Sequence, residues 1–446
     1  MALLMASACS RSSSSKPATL SPSSTAPDQC NATLQASDVG VTPTDITVEV
    51  MADVGSPLAP GLFQGNVDAM NAYATYLNAH GGIACRKLVV RTWDSKLSPS
   101  EAKNGLIDGC QNALAMVGGN SLFNPDPSPM TNCVDKSGQA TGLPDVAALA
   151  NDVNEQCAPT AFIIQAVFQH CPLQPGAFPA TQQVGPTKFY VQRFGSGLHG
   201  LFLVPGDLPT TVQSATYNID AQAQAGITWD ATPKVSGLDP QPAFTPRVQL
   251  AKAKGSTFVY DGSNDQAMIR MRKEANAQGL GSVKLWACSL ACYTKAFLAQ
   301  GGSDVEGTYL WMSFLPFEEA NYNAEDQAFV TALGSKADSF GANAWQAGAA
   351  FKTAVDGIVK QSGPNAVTRA ALLTALKGLT NFTDGGWMGG KSLKGEGGTS
   401  DCYLILQVQA GKFVRVHPSQ PGAMDCKADN LATVTVDPVA EAARLK

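Results

Sequence analysis

The sequence predicts an α/β protein of two lobes, each built on a parallel central sheet. Three observations carry this. Strand patterns alternate with helix patterns through most of the chain, and that alternation produces parallel strands joined by right-handed crossovers. The alternation starts near Ile46 and restarts after Gly197, giving two runs that are each too long for one simple sheet. A length of 446 residues, at roughly 100–200 per domain, fits two or three domains.

The elements follow in order. Ile46, Val48 and Val50 alternate with polar residues, a strand that ends near Asp53. Phe63, Val67, Met70, Ala74 and Leu77 recur at spacings of four and three, an amphipathic helix closed by Gly81 and Gly82. Residues 87–92 form a second strand. Ser98 caps the next helix, with Glu101 completing a capping box. Residues 114–117 are a short strand running into Gly118 and Gly119. Residues 161–167 and 188–194 are expected as strands. The second run reads as strand 201–204, helix 210–225, helix 248–254, strand 257–260, helix 266–278, strand 283–286 and strand 309–314. Helices fill about 323–377, and residues 403–409 and 412–417 make a hairpin around Ala410 and Gly411.

Composition narrows the class. Apolar residues are 44% and charged residues 15%, enough to bury a core. The net charge is −5 with no basic block, so the electrostatic footprint of a nucleic-acid binder is missing. No stretch reaches ~18 consecutive apolar residues, the length of a transmembrane helix. Eleven cysteines suit an exported, disulfide-bearing protein better than a cytosolic enzyme. Met1–Ala8 is short, apolar and ends in small residues, then come Cys9 and a Ser/Thr/Pro tract to about Pro27. This looks like the end of a bacterial lipoprotein signal, with Cys9 acylated and a flexible tether after it. An ordinary thiol is the alternative for Cys9. Two departures are that no positive charge precedes the apolar stretch and that Ala6 stands where the pattern prefers Leu.

Four segments resemble the type I periplasmic solute-binding proteins, the branched-chain amino acid and amide binding family of ABC importers. They are the opening strand, turn and helix of residues 46–82, the stretch 87–119 ending Val-Gly-Gly, residues 244–255 and the Glu-Gly-x-Tyr strand from Glu306. The resemblance implies two Rossmann-like lobes with parallel central sheets, joined by three chain crossings near residues 194–197, 313–317 and 394–402. Residues 1–43 are then signal remnant and tether. Residues 44–195 and 315–395 form lobe one, 196–314 and 396–430 form lobe two, and 431–446 are a C-terminal tail.

Ligand in such a fold binds outside the carboxyl ends of the strands, and closure is a hinge motion about the crossings. The loops there supply the candidate binding residues: Phe63, Ser121, Leu122, Ala166 and Phe168 in lobe one, and Asp207, Asp261, Asn264, Trp286 and Ser289 in lobe two. Trp286 and Phe168 are expected to face each other across the crevice. Amino-acid binders of this family hold the ligand ammonium with an acid where this chain has Ser289, and they hold the carboxylate with Ser and Thr hydroxyls in two loops that here read Asn120-Ser121-Leu122-Phe123 and Ala166-Val167-Phe168, where one hydroxyl remains and aromatic bulk has appeared. A buried ammonium without an acidic partner is costly. A standard zwitterionic amino acid is therefore disfavoured, although Asp207 or Asp261 could substitute, and an apolar acid or an amide fits better. A disulfide is expected between Cys85, before a strand, and Cys110, at the end of the following helix. Cys402 and Cys426 flank the closing hairpin, and Cys288 with Cys292 closes a loop. Cys30, Cys133, Cys157 and Cys171 remain unassigned.

Other chemistry has weak footing. Residues 385–392 match the P-loop pattern by letters but lack the strand before and the helix after that would cradle phosphate. The four histidines show no metal-ligand spacing, and no Gly-x-Ser-x-Gly elbow occurs. An enzyme is not expected, and neither is a cofactor or a metal. The expected partners are a small-molecule ligand, ABC permease subunits and the membrane through a lipid anchor on an extracytoplasmic monomer. The competing reading is a ligand sensor of the same fold that signals through a partner.

Overall fold

In the computed structural model, which describes residues 30–56, 60–166, 171, 176–395 and 398–445, the first run gives an α/β unit. Its elements are β1 (Asp45–Ala52), α1 (Gln64–Ala79), β2 (Lys87–Asp94), α2 (Pro99–Asn112), β3 (Ala115–Val117), β4 (Asn120–Ser121), α3 (Ser128–Thr131), β5 (Asp145–Ala150), α4 (Val153–Gln156) and β6 (Ala161–Ala166). The second run comprises β7 (Phe178–Gln183), α5 (Gly185–Phe194), β8 (His199–Pro205), α6 (Pro209–Gln224), β9 (Thr228–Ala231), β10 (Lys234–Val235), α7 (Thr245–Lys254), β11 (Phe258–Asp261), α8 (Asp265–Ala277), β12 (Leu285–Cys288), α9 (Lys295–Gly301) and β13 (Tyr309–Met312). Three helices follow, α10 (Ala324–Leu333), α11 (Ser339–Ser362) and α12 (Arg369–Lys377). The chain ends with β14 (Cys402–Gln409), β15 (Lys412–His417), β16 (Asp425–Cys426), β17 (Leu431–Val436) and α13 (Pro438–Arg444).

Lobe one is a parallel sheet in the order β2-β1-β3-β5, with β4 continuing the β3 column and β6 on the far edge. Helices α1 and α11 cover one face. α1 buries Asn66, Met70, Tyr73, Ala74 and Leu77, a stripe at helical spacing. Ser98 Oγ accepts the Glu101 N–H at 3.4 Å and starts α2. Gly118 has φ +75°, and a Cβ there would lie 2.6 Å from Met70, so this turn requires glycine. Lobe two is a nine-stranded sheet with the order β10-β8-β11-β12-β13-β14-β15, β9 pairing with β8 and β16 with β14, parallel as far as β13 and antiparallel beyond. No helix among the described residues is long and apolar enough to cross a membrane.

Three expectations need correction. Residues 188–194 are helix, not strand: Pro186 opens α5, and Tyr190 packs with Leu198, Phe202 and Tyr403 of the second lobe. β7 packs against α6 and α5 shares a core with β8 and β11, so residues 178–194 belong to lobe two. The chain is therefore already in lobe two at Phe178, upstream of 194–197. Residues 431–446 are likewise no tail, because β17 and α13 complete lobe two against β7 and α6.

The third correction is the Cys85–Cys110 bridge. Cys85 pairs with Cys30 and Cys110 with Cys133, with Cα separations of 5.5 and 5.7 Å. α2 carries the chain from edge strand β2 past β1 to β3, a displacement of two strand columns, roughly 9–10 Å. That exceeds the reach of a disulfide, whose Cα atoms lie at most ~6.8 Å apart. Cys157–Cys171, Cys288–Cys292 and Cys402–Cys426 complete the set. Cys9 and Phe168 lie outside the described residues.

Arg369 ties the α12 entry to the sheet. It is fully buried, and its guanidinium donates to the carbonyls of Cys110 (2.7 Å), Ala113 (2.6 Å) and Val134 (2.6 Å). Arg369→Met keeps the volume but leaves these carbonyls unpaired, each at about 1–3 kcal/mol. We expect a loss of at least about 3 kcal/mol in urea denaturation. A loss below about 1 kcal/mol would show that the contacts are not needed.

Candidate functional site

Asp53, at the carboxyl end of β1, organises the lobe-one rim. Its carboxylate accepts Ser95 Oγ (2.7 Å), the Leu97 N–H (2.7 Å) and the Leu122 N–H (2.8 Å). Burial pushes its pKa up, and those same donors pull it back. Three loops are thereby fixed, with Leu97 and Leu122 turned toward the space between the lobes. α1 begins beside them, where Phe63 meets Phe340 edge to face at 4.9 Å.

On lobe two the strand ends of β8, β11, β12 and β13 face the same space. Register decides which side chains arrive there. Tyr260 sits opposite Phe202 on one side and Ala287 on the other, while Val259 sits opposite Trp286. Phe202, Tyr260 and Trp311 therefore share one sheet face, and Trp311 Nε1 donates to Tyr260 Oη at 3.0 Å. Trp286 points to the other face, under the Arg272 guanidinium at 4.7 Å.

Between the lobes lies a cavity of about 670 Å³. Leu62, Phe63, Leu97, Leu122 and Phe340 form its apolar lobe-one wall, and Phe202, Leu208, Tyr260, Leu290 and Trp311 form the opposite one. Polar groups are interspersed, among them Asn151, Gln165 and Asn343 from lobe one and Asn264, Ser289 and Thr294 from lobe two. Asp338, Asp207 and Asp265 add carboxylates. Thr210 Oγ1 donates to the Leu122 carbonyl at 2.9 Å, a hydrogen bond from lobe two to lobe one.

Of the residues expected from sequence, Phe63, Leu122, Ala166, Asp207, Asn264 and Ser289 line this cavity. Asn264 caps α8 and Ser289 caps the turn after β12, so both are rigid wall elements. Ser121, Asp261 and Trp286 do not line it. Ser121, the last residue of β4, is buried and its hydroxyl has no hydrogen-bond partner. Trp286 is a core residue, since its strand partner Val259 faces α8. Asp261 is fully buried, its Oδ1 accepting the Ser263 N–H at 2.8 Å. The sequence reading missed Phe202, Tyr260 and Trp311, and the period-2 alternation of β11 and β13 is the signal that carries them.

Two apparent chemical motifs are structural. Asp261 lies within metal-binding distance of Cys288 and Cys292, but those cysteines are joined in a disulfide and offer no thiolate. In the P-loop-like run, Lys391 is buried, and its amine donates to the Ile163 (3.0 Å) and Ile164 (2.9 Å) carbonyls.

Burial raises the Asp261 pKa to about 8. The folded state therefore holds a proton that the unfolded chain releases near pH ~4. This stabilising contribution is fully present below pH ~4 and is lost as pH rises through about 8. Asp261→Asn should flatten the fall in stability between pH 5 and pH 8, followed by denaturation at a series of pH values. An unchanged slope would contradict the buried, protonated carboxyl.

Comparison with known proteins agrees with this geometry. Residues 45–412 match the family described as periplasmic binding protein. No curated protein matches. Among solved structures, a leucine binding protein from Thermotoga maritima aligns with TM-score 0.63 at 12% identity, over 86% of this chain and 99% of that one. A fatty acid ABC transporter substrate-binding protein from Thermomonospora curvata gives 0.61 at 17%, over 85% and 92%. An ABC transporter solute binding protein from R. palustris in complex with benzoate gives 0.61 at 16%, over 86% and 98%. At these identities the likeness to each is one of fold. The chain belongs to the periplasmic binding protein family, and its fold is the two-lobed α/β fold of these structures.

Proposed function

We propose that this chain is an extracytoplasmic solute-binding protein that captures a small organic molecule between its lobes and delivers it to an ABC importer. The observation that carries this reading is the cavity itself, walled by side chains of both lobes. Only contacts made by both lobes let a ligand favour the closed form. Relatives of the fold are named for leucine, a fatty acid and benzoate, so the scaffold leaves the ligand to the lining residues. Ser121, the hydroxyl remaining in the loops that would hold a ligand carboxylate, does not line the cavity, and no Lys, Arg or His lines it among the described residues. That lining argues against a standard zwitterionic amino acid. The lipid at Cys9 and the permease partner belong to the same reading. Cys9→Ser should move the protein from the membrane fraction to the soluble fraction without changing ligand affinity, and retention in the membrane fraction would remove the anchor.

A thermal-shift screen across acids, amides, amines, amino acids and sugars tests the central reading. A true ligand at ~100 Kd stabilises by about 2.7 kcal/mol. Trp311→Ala should weaken that ligand by roughly 2 kcal/mol as a lost aromatic anchor. Trp286→Ala should leave affinity unchanged and cost about 3–5 kcal/mol of stability as a core truncation. The reverse pattern would place the site elsewhere, and silence across the panel from folded protein would contradict solute binding.

A further inference from the structure

The charge on the cavity wall is one-sided. Asp338 comes from lobe one, and Asp207 and Asp265 come from lobe two. No Lys, Arg or His lines the cavity among the described residues. Lys391 lies behind the floor, with its amine committed to the Ile163 and Ile164 carbonyls.

Three helix N-termini at the cavity that would otherwise draw an anion are already occupied. Asn264 caps α8, Thr294 caps α9 and Asp338 caps α11. The Asp338 carboxylate also lies over the first turn of α1, where a Cβ on Gly65 would sit 2.3 Å from both of its oxygens. The carboxylates have few local donors: the Gly237 N–H to Asp207 (3.2 Å), Thr294 Oγ1 to Asp265 (2.6 Å), and the Gly341 (2.6 Å) and Phe340 N–H groups to Asp338. A carboxylate has about four acceptor sites, so each keeps capacity for a donor on a ligand. A second, independent observation points to a ligand. Asn151 is 7% exposed and lines the cavity, and its Nδ2 has no partner.

We propose that the cavity takes an organic cation: an apolar body carrying a protonated amine and one neutral acceptor, with no carboxylate. This rests on the solute-binding reading above and narrows its ligand. Closing the lobes removes water from carboxylates that have no counter-charge, which is costly unless the ligand brings one. An amine reached by Asp338 on one side and by Asp207 or Asp265 on the other makes contacts with both lobes. Tyr260 and Trp311 offer ring faces that also favour a cation. The neutral acceptor satisfies Asn151. A carboxylate ligand would meet three like charges, with the starts of α8, α9 and α11 already capped.

The test holds the body constant and changes the head. Phenylbutylamine, phenylbutanol and phenylbutyrate are titrated into the whole chain by calorimetry and tryptophan fluorescence at low salt. The amine should bind at least about tenfold more tightly than the carboxylate, a difference of about 1.4 kcal/mol. Asp265→Asn should weaken the amine about five- to tenfold and leave the alcohol unchanged. If Asp265→Asn fails to fold, the exposed Asp207→Asn carries the same comparison. Equal or tighter binding of the carboxylate overturns the proposal. So does an amine that stays silent, whether another head binds or the wider screen yields only anionic or uncharged ligands; in both cases solute binding itself still stands. Silence of every compound in both experiments removes the solute-binding reading as well.

Discussion

The two lobes depend on how one exposed strand edge is closed. β6 is the last strand of the lobe-one sheet, so its outer carbonyls and N–H groups have no strand beside them. The returning segment before β14 supplies the partners: the Ile163 N–H donates to the Leu393 carbonyl at 2.6 Å, and Phe162 bridges Lys394. Lys391 completes the edge by placing its amine on the Ile163 and Ile164 carbonyls. Burial lowers its pKa to about 7, so near neutrality the desolvated amine need not carry a full charge. Ser313, on the chain leaving lobe two, accepts Gln165 Nε2 at 2.6 Å in the same place. The chain crossings are thus pinned beside one another by buried polar bonds, which is what lets two separately packed sheets share one pivot.

From that pivot the binding chemistry follows by alternation. Each lobe has a sheet whose strand ends face the other lobe, and period 2 sorts side chains between core and cavity. In lobe two it places Phe202, Tyr260 and Trp311 together and sends Trp286 and Leu310 beneath the opposite helices. In lobe one Ser121 is buried at the end of β4, and Leu122 just after it lines the cavity. The result is a cavity with aromatic and aliphatic walls, polar corners and acidic caps. Asp338 caps α11 and Asp265 sits in the first turn of α8, so two of the three acids that line the cavity come from helix starts.

Most of the architecture was legible in the sequence because local signals and tertiary demands agree. Alternating Ile46, Val48 and Val50, the Ser98–Glu101 cap and the obligatory Gly118 each read the same way alone and in the fold. Residues 185–194 misread because Phe189, Tyr190 and Val191 are equally good strand formers, and only packing against Leu198 and Phe202 chooses helix. Cysteine partners were invisible wherever they depended on sheet order: Cys85 and Cys110 flank consecutive elements yet end two strand columns apart. The site was half legible. Loops after strands supplied Phe63, Leu122 and Asn264, whereas Trp286 was misplaced because a strand end read without its register cannot say which face a side chain takes.

The central claim is that a ligand closes these lobes about the pinned crossings. Small-angle scattering on the whole chain, with and without a saturating ligand identified by stabilisation, measures this most directly. A radius of gyration that falls on binding, with the fold unchanged by circular dichroism, is the predicted result. A radius that stays constant while the ligand is shown to be bound would contradict closure and make the cavity a static pocket.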